Sequence, residues 1–465
     1  MKTHHGGAAP LRLTALLSLL WAMLSLPGLA AAQPPAALRP LAPADAALIR
    51  QTLAASLSQA LPAAAVAATA DDAALVRALL AYAAAQHGAR LAPSQFPPDW
   101  GIRPAPYDAT AAYAAALTAN QLPAWIAGLA PSDPRYARLA QAYQHYREIA
   151  DRGGWPALAL GSTLRPGDSG ERVQALRARL MVEDAQLAPT NADLYDPALA
   201  TAVMRAQARY GLSADGVAGP KTLGRLNVPA DQRLSQIAAN LERWRWVPRD
   251  LPSRRAELNT VAGTLAVQVP GQPALSMRVI AGKPATPTPM FADRITGVVF
   301  NPPWTVPAKI AADEIWPKIR NDPGYMAREG FVVLPNGTLR QQPGRRAALG
   351  LFKFELGNPY GVYLHDTPSR ALFAEDWRLF SHGCMRLEKP ADLAALLLAG
   401  DSVFTPATQD TTLAAGITLR ASVHVPLPLY VVYWTAFFAD DGSLNFRDDA
   451  YGWDSQLAHL LSAQL

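Results

Sequence analysis

The chain has 465 residues, half of them hydrophobic and 17% charged, a composition that supports sizeable cores and excludes a mostly disordered protein. Its formal charge is +5, but only 7 of the 42 basic residues are Lys and no run of five or more basic residues occurs, so a nucleic-acid binder is not indicated. One cysteine, Cys384, excludes an intrachain disulfide and a four-cysteine zinc site.

The first segment reads as an export signal. Lys2 and Arg12 precede an apolar run, Leu13 to Leu26, broken by Pro27-Gly28 and followed by Ala30-Ala31-Ala32. This is the layout of a signal peptide over 1–32, and the run is too short to span a bilayer. The expected location is the periplasm, with no stable membrane span after cleavage. Residues 33–160 are Ala-rich and read as a helical scaffold, with helices over Asp45–Leu61, Asp71–Gln86 and Arg135–Arg152; Asp45 and Asp71 occupy N-cap positions. Residues 161–228 form a three-helix unit: Val173, Leu176 and Leu180 carry a helical period, Tyr195-Asp196-Pro197 opens the next helix, and Lys221–Leu226 follows a tight Asp215-to-Pro220 loop. A linker helix is expected within 229–256.

From 257 to 435 the pattern alternates, as in Leu265–Val269, Ser276–Ile280 and Thr296–Phe300, and indicates strands. Residues 304–345 carry helical pieces and read as an insertion between strands. Ala391–Leu398 is a helix. Leu429–Trp434 reads as a late strand, and residues 436–465 as a hairpin at Asp440-Asp441-Gly442 and a helix from Asp454. The expected fold class is multidomain α+β: a helical scaffold, a three-helix unit and a mainly β domain with an inserted cap.

One constellation carries chemistry. His365 ends a strand candidate, fifteen residues separate it from Ser381, and Ser381-His382-Gly383-Cys384 follows. A free thiol has a pKa near ~8.5, so an adjacent imidazole that takes its proton creates the working nucleophile. This His-x15-Ser-His-Gly-Cys pattern resembles the signature of the YkuD-type L,D-transpeptidases. Thr288-Pro289, Tyr363-Leu364-His365-Asp366 and Arg386-Leu387 also fit. Glu242-Arg243-Trp244-Arg245-Trp246, Phe300-Asn301-Pro302 and Asp322-Pro323-Gly324-Tyr325 resemble its large YcbB-like branch, and 161–228 resembles a peptidoglycan-binding domain, with Ala206 where an aromatic is usual.

The resemblance implies a mainly β, YkuD-like sandwich with an inserted cap. It also implies an enzyme in which Cys384 attacks the third residue of a tetrapeptide stem and releases D-Ala. His365 is then the base, Gly383 and Cys384 supply oxyanion-hole N–H groups, and Ser381 and His382 hold the loop and bond the thiol side. Tyr363, Arg386 and Trp304 become substrate-binding candidates, with Asp366 available to orient His365. Expected partners are peptidoglycan stem peptides and glycan, and other cell-wall synthases; no metal or other cofactor is implied, and carbapenems are expected to acylate Cys384. Two other outcomes remain open on the sequence: a hydrolytic L,D-carboxypeptidase or wall-link amidase, and a non-catalytic peptidoglycan-binding scaffold.

Overall fold

The computed structural model describes residues 40–62, 69–189 and 192–462. The signal peptide expected over 1–32 lies outside the described residues. Five helices open the described chain: α1 (Pro43–Ala54), α2 (Asp72–Gln86), α3 (Ala109–Thr118), α4 (Leu122–Ala127) and α5 (Pro134–Asp151). Asp71 caps α2 by accepting from the Ala74 N–H. Asp45 does not cap α1. That helix starts at Pro43 behind Ala42, because proline is well suited to the first helical position, and Asp45 falls in the first turn.

Three helices follow: α6 (Glu171–Met181), α7 (Pro197–Arg209) and α8 (Pro220–Leu226). Val173, Leu176 and Leu180 are buried, as their period requires, and Ala206 is buried with them. Helix α9 (Ala230–Trp246) fills most of the expected linker and does more than link. Its last turns are buried on every side, charged residues included: Glu242 and Arg245 pair with each other, and Arg243 pairs with Asp454. Trp246 packs against Phe96 and Trp100, and Trp244 stacks on Trp434 at 4.6 Å. One apolar core therefore runs from α5 through α6–α9 into the C-terminal residues Phe446, Trp453 and Leu457.

The β domain is built from β1 (Arg255–Asn259), β2 (Thr264–Gln268), β3 (Leu275–Gly282), β4 (Phe291–Phe300), then, beyond a cap, β8 (Phe352–Glu355), β9 (Leu364–His365), β10 (Leu379–Ser381), β11 (Met385–Leu387) and β12 (Leu419–Val432). Together they form a nine-stranded mixed sheet, ordered β10-β3-β11-β9-β8-β4-β12-β1-β2. An additional β2–β3 pairing curls the sheet back on itself around a second core that includes Ile295, Phe354, Leu364 and Met385. The two faces of the expected sandwich are therefore one continuous sheet, because β3 is long enough to serve several neighbours. Helices α13 (Pro390–Leu397) and α14 (Pro406–Ala415) pack on this domain.

The insertion is not purely helical. Its helices α10 (Ala308–Ile310) and α11 (Trp316–Asn321) are joined by a π-helical stretch, Ala311–Ile315, and α12 (Tyr325–Glu329) follows after a turn. They pack on a small sheet of β5 (Trp304–Thr305), β6 (Phe331–Val333) and β7 (Leu339–Gln341), with Val306, Ile315, Phe331 and Leu339 as a separate small core. A cap with its own core can shift as a unit. The chain ends in the hairpin β13 (Ala436–Phe438) and β14 (Leu444–Phe446), then α15 (Trp453–Ser462). Among the described residues no helix is long and apolar enough to cross a membrane.

Candidate active site

Strand register assembles the site. β9 and β11 run parallel with Met385 opposite Leu364 and Arg386 opposite His365, and Met385 N–H donates to the Tyr363 carbonyl at 3.0 Å. Side chains alternate along a strand. Met385 and Leu364 point into the core at 0% exposure, so Cys384, Arg386, Tyr363 and His365 share the other face. Lys353 of β8 stands opposite His365 in the antiparallel neighbour and joins them. Sequence reasoning missed Lys353, although the Phe-Lys-Phe-Glu alternation of β8 carries its signal.

The hydroxyls of Ser381 and Thr288 tie down the loop holding Cys384. Ser381 Oγ donates to the Cys384 carbonyl at 2.6 Å and accepts from Gly383 N–H at 3.1 Å. Thr288 Oγ1 donates to the Gly383 carbonyl at 2.8 Å and accepts from Gly282 N–H at 2.9 Å. Gly383 has φ +110°, a conformation that favours glycine. Its N–H is engaged by Ser381, which corrects the expectation of a free oxyanion-hole donor there. Ser381 and His382 do not bond the thiol side either. Ser381 holds the loop, and His382 Nε2 lies 2.6 Å from Glu314 Oε1 in the cap. Sequence reasoning missed Glu314 as well, since nothing in the linear pattern links two residues 68 apart.

The thiol is half-buried, with the main chain and hydroxyl of Tyr363 beside it. The Tyr363 hydroxyl also meets Trp304 of β5. Lys353 Nζ stands 4.3 Å above the Tyr363 ring. The cap thus closes over the Cys384 face through Trp304 at one point and Glu314 at another.

His365 is buried, and its Nδ1 lies 2.5 Å from the Asp366 carbonyl. That bond fixes the neutral tautomer with Nε2 free. The main-chain carbonyl of Asp366 does this, not its carboxylate. The carboxylate accepts from Leu351 N–H at 2.8 Å and Thr367 N–H at 2.7 Å and pairs with Arg370 at 3.2 Å. Gly350, at φ +59°, makes room: a Cβ there would sit 2.3 Å from Asp366 Oδ2.

Burial dominates the electrostatics. It pushes the His365 imidazole down to about 3, helped by the positive charges of Arg386 and Lys353. Burial also raises the Cys384 thiol, against the lowering effect of Tyr363, Lys353 and Arg386. The resting pair is therefore neutral thiol and neutral imidazole, not the preformed ion pair that the residue pattern suggested. Burial also lowers Arg386, whose Nε is buried without a hydrogen-bond partner. Among the described residues no group of three or more His, Cys, Asp or Glu side chains is arranged to hold a metal.

Residues 253–405 match the YkuD family model, described as "L,D-transpeptidase catalytic domain". The chain carries a YkuD-type catalytic domain. Residues 29–142 match a model described as "Scaffold domain", and 169–226 one described as "Putative peptidoglycan binding domain". A "Putative L,D-transpeptidase" of Haemophilus influenzae is 32% identical over 203 residues, covering 39% of this chain and 41% of the relative. The match thus spans less than half the length of that curated relative. Among solved structures, an L,D-transpeptidase from Mycobacterium smegmatis is 18% identical, covers 39% of this chain and 58% of its own, and has a TM-score of 0.21. An L,D-transpeptidase from Stackebrandtia nassauensis is 14% identical over 58% of this chain and 94% of its own, with a TM-score of 0.22.

Proposed function

We propose that this protein is a cysteine-nucleophile L,D-transpeptidase that makes third-to-third crosslinks between peptidoglycan stems. The observation that carries the reading is the shared strand face of Cys384 and His365 inside the YkuD match, under a cap. Cys384 Sγ attacks the carbonyl of the third, diamino-acid residue of a tetrapeptide stem. His365 Nε2 takes the thiol proton as the C–S bond forms and passes it to the amine of the departing D-Ala. Because both groups start neutral, proton transfer accompanies attack. The Cys384 N–H and the Tyr363 hydroxyl are the donors proposed for the oxyanion, since Gly383 N–H is engaged. Arg386 and Lys353, beside the thiol, suit the terminal carboxylate of the donor stem. The side-chain amine of a second stem then attacks the thioester and restores Cys384.

This reading carries the rest of the layout with it: a signal peptide over 1–32, action in the periplasm, glycan contact by 161–228, the order of domains of the YcbB-like branch, and acylation of Cys384 by carbapenems. The test is mass spectrometry of disaccharide-tetrapeptide incubated with the protein and with Cys384→Ala. A dimer lighter by one D-Ala, absent with the variant, supports transpeptidation. Tripeptide alone would make the enzyme a carboxypeptidase. No product from the wild type would overturn the reading.

A further inference from the structure

We propose that Glu314 of the cap, backed by His382, is the receptor for the acceptor's ammonium group and decides between crosslinking and hydrolysis. This deepens the transpeptidase reading and rests on it. A primary alkyl amine has a pKa near ~10.4, so at neutral pH it arrives as a cation without a lone pair. A thioester site that does not bind this cation and strip a proton from it is left to water.

Charges around Cys384 are divided between two walls. The sheet side presents two cations, Lys353 and Arg386, which oppose a further cation approaching there. The Asp366 carboxylate is spent on Leu351, Thr367 and Arg370. On the cap side, Glu314 points at His382, two residues before the nucleophile, at 2.6 Å. Both side chains stay accessible, at 39% and 30% exposure. The carboxylate is delivered by a π-helical stretch, Ala311–Ile315. Such bulges cost stability and concentrate at functional sites. Its neighbour Asp313 instead turns outward and pairs with Lys309 at 2.9 Å.

The ammonium gives one proton to the Glu314–His382 pair, which releases it to solvent. The amine nitrogen then attacks the thioester carbonyl. A second N–H proton passes through His365 Nε2 to Cys384 Sγ as the C–S bond breaks and the amide forms.

The experiment measures the ratio of crosslinked dimer to tripeptide monomer made by the full chain from disaccharide-tetrapeptide. This ratio does not depend on how much of a variant is folded. Glu314→Gln is expected to lower it about tenfold, a loss of roughly 1.4 kcal/mol in the transfer step. Glu314→Asp recovers part of it, and Asp313→Asn keeps the wild-type ratio. A Glu314→Gln ratio within twofold of wild type overturns the proposal. So does an equal fall in Asp313→Asn, which would make the effect one of general cap charge, or loss of both products in Glu314→Gln, which would place Glu314 in acylation. If the wild type makes neither product, the transpeptidase reading itself fails.

Discussion

Thr288 Oγ1 bridges two main-chain groups, accepting from Gly282 N–H and donating to the Gly383 carbonyl. The hydroxyl is buried at 0% exposure, so it sets the position of the residue before the nucleophile with no water in between. Thr288→Val keeps the shape and leaves both groups unpaired, at about 1–3 kcal/mol each. We expect a fall in crosslinking rate of tenfold or more, and near wild-type behaviour from Thr288→Ser, measured as product per folded enzyme. A Thr288→Val enzyme with an unchanged rate would show that the loop is held elsewhere.

The neutral resting pair makes a prediction for thiol chemistry. Because burial raises the Cys384 thiol above its ordinary range, alkylation by iodoacetamide should be slow at pH 7 and still climbing past pH 9. A rate that levels off below pH 8 would instead reveal a preformed thiolate–imidazolium pair.

His365 links stability to pH. Its folded pKa is lowered to about 3, so the unfolded state binds a proton that the folded state refuses. Stability from this group is complete above the unfolded value of about 6.5 and declines as pH falls from there toward 3. Between pH 7.5 and pH 5 the loss is about 2 kcal/mol at most. Apparent Tm should therefore drop more steeply with acid in the wild type than in His365→Gln. Parallel curves would mean that the ring is not buried neutral.

A structural prediction concerns the C-terminal helix. Asp454 pairs with buried Arg243 and accepts from Thr435 at 2.6 Å. Asp454→Ala strands a buried cation, a change that typically costs about 3–5 kcal/mol. Thermal melts should show a large destabilisation, while Asp322→Ala, which breaks an exposed pair with Arg328, should shift Tm little. Equal small shifts would indicate that α15 is dispensable for the core.

What the sequence disclosed and what it hid follow from range. The helix periods at Val173, Leu176 and Leu180, the cap at Asp71 and the Asp440-Asp441-Gly442 hairpin are local, and each is found where the pattern put it. The fourteen-residue β12 was legible only at its apolar end, since its first half carries exposed Arg, Ser, His and Val residues. Cys384 and His365 stood out by residue type and spacing. Their neighbours did not: Lys353 reaches the site by strand register, Glu314 by tertiary contact across the cap, and the Gly383 N–H is lost to a side chain whose direction no spacing reveals.

The core shared by α5, α6–α9 and the C-terminal segment has a consequence for how the molecule comes into being. Phe446, Trp453 and Leu457 follow the β domain along the chain, yet they complete packing begun some three hundred residues earlier by Tyr136, Leu139 and Tyr146. The helical half therefore cannot reach its final packing before those residues have been made. It must wait, with apolar faces open, until the β domain has followed it, and the two halves then close together.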